Sequence, residues 1–211
     1  MNFEKFPQRF KASFSLKKTI LLDDELKKKF SNSIGAAEFL QNYAGTTFNN
    51  GLYRIHKVED IPKWNAIVGK VFPEIADFIV CFSYDWLGRH FALDFRRKEN
   101  DEPLIIILEP GTGDALEVPT TFRMFHEEEL SEHQDAALSV DFFNQWRTNN
   151  SERLLNNQCV GYKVPLFIGG QDTMENLALG DMEVYWEICG QLLNKVRNLP
   201  PGTPISVTIS D

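Results

Sequence analysis

Cysteine is scarce and unpaired in this chain: Cys81, Cys159 and Cys189 stand among 211 residues, an odd number at unrelated spacings. That excludes a disulfide framework, and the apolar flanks of all three predict buried, reduced thiols of a cytoplasmic protein. Cationic side chains are outnumbered, 22 Lys and Arg against 30 Asp and Glu, for a net charge of −8. Such a balance argues against nucleic acid as the direct partner, because phosphate contacts need clustered Lys and Arg. No apolar stretch approaches the roughly 18 residues of a membrane span. The opening MNFEKFPQRFKASFSLKK has no apolar signal-peptide core. Repeats and low-complexity runs are absent too.

Catalytic and cofactor signatures are equally thin. His126-Glu127-Glu128-Glu129 begins like a zinc-binding helix, but Leu130 stands where the second histidine would be required. Gly111-x-Gly113 lacks the last glycine and the following helix of a dinucleotide loop, so it reads as a hairpin turn. Cys159 sits between Gln158 and Val160-Gly161, with no base or helix N-terminus to lower its pKa, and is expected to be structural. Asp85 and Asp94 flank a hairpin without a partner base, which fits turn and edge roles. The expectation is a non-enzyme with no metal and no cofactor.

What is present is an ordinary globular composition, 43% hydrophobic and 25% charged. A chain of this length buries roughly 70% of its unfolded surface in one core. Ala36, Phe39, Leu40 and Tyr43 lie on one helical face after the capping candidates Asn32 and Ser33. Asn49-Asn50-Gly51 is a turn before a strand over 52–55. Asp60 and Pro62 open a helix that turns Trp64, Ile67, Val68 and Val71 inward. Residues 77–84 and 90–95 pair as a hairpin, and the apolar run 104–108 is a central strand joined by the 110–114 turn to 115–118. Thr120 or Thr121 opens a helix through Glu129, and a further helix covers 135–147. Pro200-Pro201-Gly202 stops a C-terminal helix at Leu199, and Ile205 to Ile209 alternates as an edge strand. The fold class implied is α+β, with a twisted, mostly antiparallel sheet flanked by helices.

The richest block is CVGYKVPLFIGGQDTMENLALGDMEVYWEICGQLL, residues 159–193. Val164 and Leu166-Phe167-Ile168 suggest a buried strand ended by Gly169-Gly170. Asp181 is placed to cap a helix carrying Val184, Tyr185, Ile188, Cys189, Leu192 and Val196 on its apolar stripe. Trp186 lies off that stripe and is expected against the Gly169-Gly170 turn. Asp172 and Asn176 are expected to hydrogen-bond the loop backbone.

Gly161-Tyr162-Lys163-Val164-Pro165-Leu166-Phe167, Gly169-Gly170-x-Asp172, Asn176-Leu177, Asp181-Met182-x-Val184-Tyr185-Trp186 and Gly190-Gln191-Leu192 resemble the C-terminal domain of bacterial type VI secretion immunity proteins. The named member of that family protects against a secreted DNase. Upstream, GTTFNNGLYRIH (45–56) resembles the GAD-like domain that precedes this block, and CFSYDWLGRHFALD (81–94), residues 104–118 and Thr121 to Phe125 also fit the family. The strand-turn-strand and threonine-led helix are similar to the SUKH immunity superfamily at the level of fold. The resemblance implies a GAD-like part over 1–120 and an immunity-type part over 121–211, packed as one globular unit. It further implies a cognate toxin as partner, encoded beside this gene, with no role for membrane. The rivals are an interaction or regulatory module without a toxin, and an enzyme of unrecognised type.

Within the resemblance, Gly161, Tyr162, Pro165, Gly169, Gly170, Asp172, Asn176, Asp181, Tyr185 and Trp186 are assigned structural roles. Candidate toxin contacts are the aromatic hairpin tip Tyr84-Asp85-Trp86 and the acidic run Glu127-Glu128-Glu129. Aromatic residues anchor interfaces, and carboxylates steer a basic partner.

Overall fold

The computed structural model describes residues 3–15, 22–197 and 199. The expected edge strand over 205–209 lies outside the described residues. Among those described, seven strands form one antiparallel sheet in sequence order: β1 (Ala12–Phe14), β2 (Thr47–Phe48), β3 (Tyr53–Ile55), β4 (Ile79–Asp85), β5 (His90–Glu99), β6 (Glu102–Glu109) and β7 (Asp114–Thr121). A second sheet pairs β8 (Gln158–Tyr162) with β9 (Leu177–Asp181). The helices are α1 (Phe6–Arg9), α2 (Asp24–Phe30), α3 (Ala36–Tyr43), α4 (Ile61–Val71), α5 (Phe122–Met124), α6 (Leu130–Glu132), α7 (Gln134–Leu138), α8 (Val140–Asn149) and α9 (Met182–Arg197), with a π-helical stretch, Phe125–Glu129, joining α5 to α6.

The large sheet is covered on both faces, and its side chains divide with a period of two. Val80, Phe82, Phe91, Leu93, Ile105 and Ile107 point to one layer, with Phe6, Phe39, Phe122 and Trp146. Ile79, Cys81, Ala92, Ile106 and Leu108 point to the other, with Trp64 and Val68 of α4 and Trp186 and Leu193 of α9. Two-sided burial is why 104–108 reads as an unbroken apolar run. The strand is paired on both sides, by β5 and β7, so it is interior as expected.

Local expectations failed where a side chain competes with the backbone. The helix expected over 135–147 is two helices, α7 and α8, because Ser139 adopts φ 52° and interrupts the ladder. The strand expected over 164–168 is a 3-10 turn, Leu166–Ile168. Its backbone partners are already engaged: Asn176 Nδ2 donates to Val164 O at 2.8 Å and Asn176 Oδ1 accepts from Val164 N at 2.9 Å. Asn32, Ser33 and Asp60 make no side-chain cap; Gly35 at φ 79° precedes α3 instead.

Candidate functional site

The block singled out by sequence folds as the β8–β9 hairpin, the 163–176 turn and α9. Asp181 caps α9 as expected, its Oδ1 accepting from Glu183 N at 3.0 Å and Val184 N at 3.1 Å. The helix, however, is rolled relative to the expected stripe. Met182, Trp186, Cys189, Gly190 and Leu193 are buried, whereas Val184 is 55% and Ile188 51% exposed. Trp186 does not pack on the Gly169-Gly170 turn. Its indole N–H donates to Gly88 O at 2.8 Å, and a buried indole needs such an acceptor, so that bond sets the roll.

Two close approaches explain the hairpin glycines. A Cβ on Gly161 would lie 2.6 Å from the Tyr185 ring, and one on Gly170 would lie 1.9 Å from Val164 O. Tyr162 O–H donates to Asp172 Oδ1 at 2.7 Å, so Asp172 serves a side chain rather than the loop backbone. Asn176 does tie the loop backbone, donating also to Gln171 O. Pro165 N-caps the 3-10 turn and Gly169, at φ 93°, ends it. Asp172 and Trp186 thus have partners other than those expected.

The hairpin tip is not exposed, and this corrects the expectation for all three of its residues. Tyr84, Asp85 and Trp86 are 4%, 0% and 0% exposed. Tyr84 O–H donates to Asn156 O and Trp86 Nε1 donates to Leu138 O, both at 2.9 Å. Asp85 accepts from Arg89 Nε at 2.6 Å and from the Leu87 and Arg89 backbone N–H groups. The tip is a core corner, pinned by Arg54. That buried arginine lies over the Tyr84 ring and donates to Leu155 O, Gln158 O and Asp85 O. Sequence reasoning missed Arg54; a lone cation inside the apolar run 52–55 was the available signal.

The acidic run divides. Glu127 accepts from the backbone N–H groups of Glu4, Lys5 and Phe6 at 3.0 to 3.1 Å, fastening the N-terminal segment. Burial alone would raise its pKa; those three N–H donors outweigh it and hold the carboxyl below its ordinary value. Glu132 pairs with Lys5. Glu128 is exposed and Glu129 half-buried. His126, the would-be metal ligand, is a core histidine: Nδ1 lies 2.8 Å from Phe122 O and Nε2 3.1 Å from Tyr53 O–H. Burial lowers its pKa to about 3. Among the described residues, no group of three or more His, Cys, Asp or Glu is placed to hold a metal ion, and no helix is long and apolar enough to cross a membrane. Cys81, Cys159 and Cys189 are free and buried, and burial raises all three thiols, Cys189 to about 12.

A groove of about 370 Å³ lies open between the β8–β9 hairpin and α9. Leu179, Val184, Ile188 and Leu192 wall it, with Cys159 and Cys189 at its floor. Sequence periodicity assigned Val184 and Ile188 to the core, so this surface was not anticipated.

The described residues thus form an α+β body that carries an open apolar groove. Residues 120–193 match the family model described as T6SS immunity protein Tdi1, C-terminal, the domain that the sequence motifs resembled. The match supports an immunity role toward a secreted toxin. The solved structure titled "Crystal structure of Atu4351 from Agrobacterium tumefaciens" is similar in fold, with a TM-score of 0.60 at 16% identity, covering 90% of this chain and 89% of that one. A comparison with curated proteins gave no match.

Proposed function

We propose that this chain is a non-enzymatic immunity protein that captures a cognate type VI toxin and covers its active or substrate-binding surface. The observation that carries this reading is the immunity-family match over 120–193, the same segment that builds the open groove. Of the side chains that the sequence offered for chemistry, His126 lies in the core, Asp85 is paired with Arg89, and the three thiols are buried with raised pKa values. As the family resemblance implies, the toxin is a DNase and is encoded beside this gene. Capture then takes place in the cytoplasm, where an injected nuclease meets its substrate. The GAD-like part, 1–120, supplies the sheet on which the immunity-type part, 121–211, is mounted.

Self-protection by stoichiometric capture calls for a dissociation constant of about nM, near −12 kcal/mol. An interface of roughly 1,600 Å² reaches that with a few well-packed anchors. The net charge of −8 accelerates encounter with a basic nuclease, and Glu128 and Glu129 are the members of the acidic run left to contribute.

The test is co-expression with the adjacent toxin. A stable complex on co-purification, together with growth rescue, is the expected result. Rescue should persist when Cys159 or His126 is replaced, provided the variant folds. Toxin that stays active and unbound beside folded protein sinks the proposal, and rescue without a complex points to an enzyme.

A further inference from the structure

The groove between the β8–β9 hairpin and α9 is built in an unusual way for a small-molecule site. Leu179, Val184 and Ile188, at 44%, 55% and 51% exposure, converge on one concavity. Its polar wall groups are already bonded. Lys163 Nζ donates to Glu175 O, the Tyr185 hydroxyl accepts from Tyr162 N, and Asp181 holds the first turn of α9 while accepting from Asn157 Nδ2. A small polar ligand would find little to orient it there, whereas an apolar side chain would lose nothing on entering.

On the α9 side of the groove the charge has one sign, whereas the hairpin wall carries Lys163. From Asp181 to Asn194 the chain carries Asp181, Glu183 and Glu187 and no lysine or arginine before Lys195. Glu183 is bridged to Lys63; Glu187 is exposed, with Gln191 as its nearest hydrogen-bond partner at 3.5 Å. Val184 and Ile188 therefore present an apolar pair flanked along the helix by carboxylates.

We infer that this groove is where the toxin docks, and that its occupant is an apolar segment of the toxin carrying lysine or arginine alongside. This deepens the immunity reading and rests on it. The apolar contact supplies the anchor, and the Asp181–Glu187 flank selects a cationic neighbour of the kind found on proteins that act on polyanions.

The experiment measures binding of the full chain to a catalytically inactivated form of the adjacent toxin, with fold checked by circular dichroism. Val184→Asp and Ile188→Asp should each weaken binding by at least about 30-fold. Their melting temperatures should stay near the parent's, because both side chains are more than half exposed. Leu179→Ser, on the opposite wall, serves as the second variant if either aspartate lowers the melting temperature. Glu187→Lys should slow association at low salt, and the difference should shrink at high salt. If the parent binds and these variants bind equally well, the groove assignment is overturned while the immunity reading stands. If the parent does not bind the toxin at all, both fall. A parent dimer that Ile188→Asp dissociates would give the groove to a second copy and overturn the assignment.

Discussion

At the scale of single residues, His126 shows how a functional-looking motif becomes a structural one. The ring is enclosed by Phe39, Phe122 and Phe6, with centroids 4.2, 4.4 and 5.3 Å away, and both nitrogens are bonded. Burial is the main cause of its lowered pKa, from 6.5 to about 3. A histidine whose folded pKa is depressed binds fewer protons folded than unfolded, so stability falls as pH drops below 6.5. From His126 alone the loss should reach about 2 to 3 kcal/mol between pH 7 and pH 4.5. His56 and His90, also buried and lowered, act with the same sign. Glu127 adds to the trend at lower pH, because its contribution is present above the ordinary Glu range and is lost as pH falls through its depressed value. His126→Gln should be destabilised near pH 7 but should show a flatter stability profile between pH 6.5 and 4.5. Denaturant midpoints across that range check this, and a slope identical to the parent's would contradict it.

At the scale of elements, the hairpin and α9 are held by a contact made possible by a missing side chain. The Tyr185 ring occupies the space above Gly161, and the Tyr185 hydroxyl accepts from Tyr162 N at 3.3 Å. Gly161→Ala should therefore cost about 1 to 3 kcal/mol through overpacking. The same substitution in a Tyr185→Leu background should cost measurably less, and equal costs in the two backgrounds would show that the ring is not the obstacle. The elements legible in the sequence were those set by period and punctuation. The β4–β5 hairpin, α4 with Pro62 in its first turn, and the strand expected over 104–108 emerged because alternation, 3.6 spacing or an unbroken apolar run reports burial directly. What escaped was decided at long range. The indole of Trp186 finds its acceptor at Gly88, 98 positions away, and that bond rolls α9 so that Val184 and Ile188 leave the core. Asn176 replaced a strand neighbour for Val164, and Ser139 at positive φ split a helix whose pattern is continuous. The cap made by Asp181 and the loop bonds of Asn176 were readable from the sequence. The groove was not, because the same spacing that marks a buried stripe also marks a docking face.

At the scale of the whole molecule, packing crosses the boundary that the sequence suggested at 120/121. Phe122 belongs with Phe39 and Phe82, at centroid distances of 5.4 and 4.9 Å, across that boundary. Arg54 donates to Leu155 O and Gln158 O, and Gly190 of α9 lies close against Val71 of α4. Both core clusters draw residues from each side. The two parts share one layer: α9 sets Trp186 and Leu193 beside Ile79, Cys81, Ile106 and Leu108, and without the sheet Trp186 and Leu193 lose those partners. Full-length protein should therefore unfold in one cooperative transition, with tryptophan fluorescence and far-UV circular dichroism giving coincident midpoints in urea. Trp64, Trp86, Trp146 and Trp186 lie on both sides of residue 120, so fluorescence reports on both parts. Fragments 1–120 and 121–211, expressed separately, should each lack a cooperative transition. Two resolved midpoints, or a fragment that melts sharply by itself, would mean that the parts are independent domains and that the groove is mounted on a self-sufficient unit.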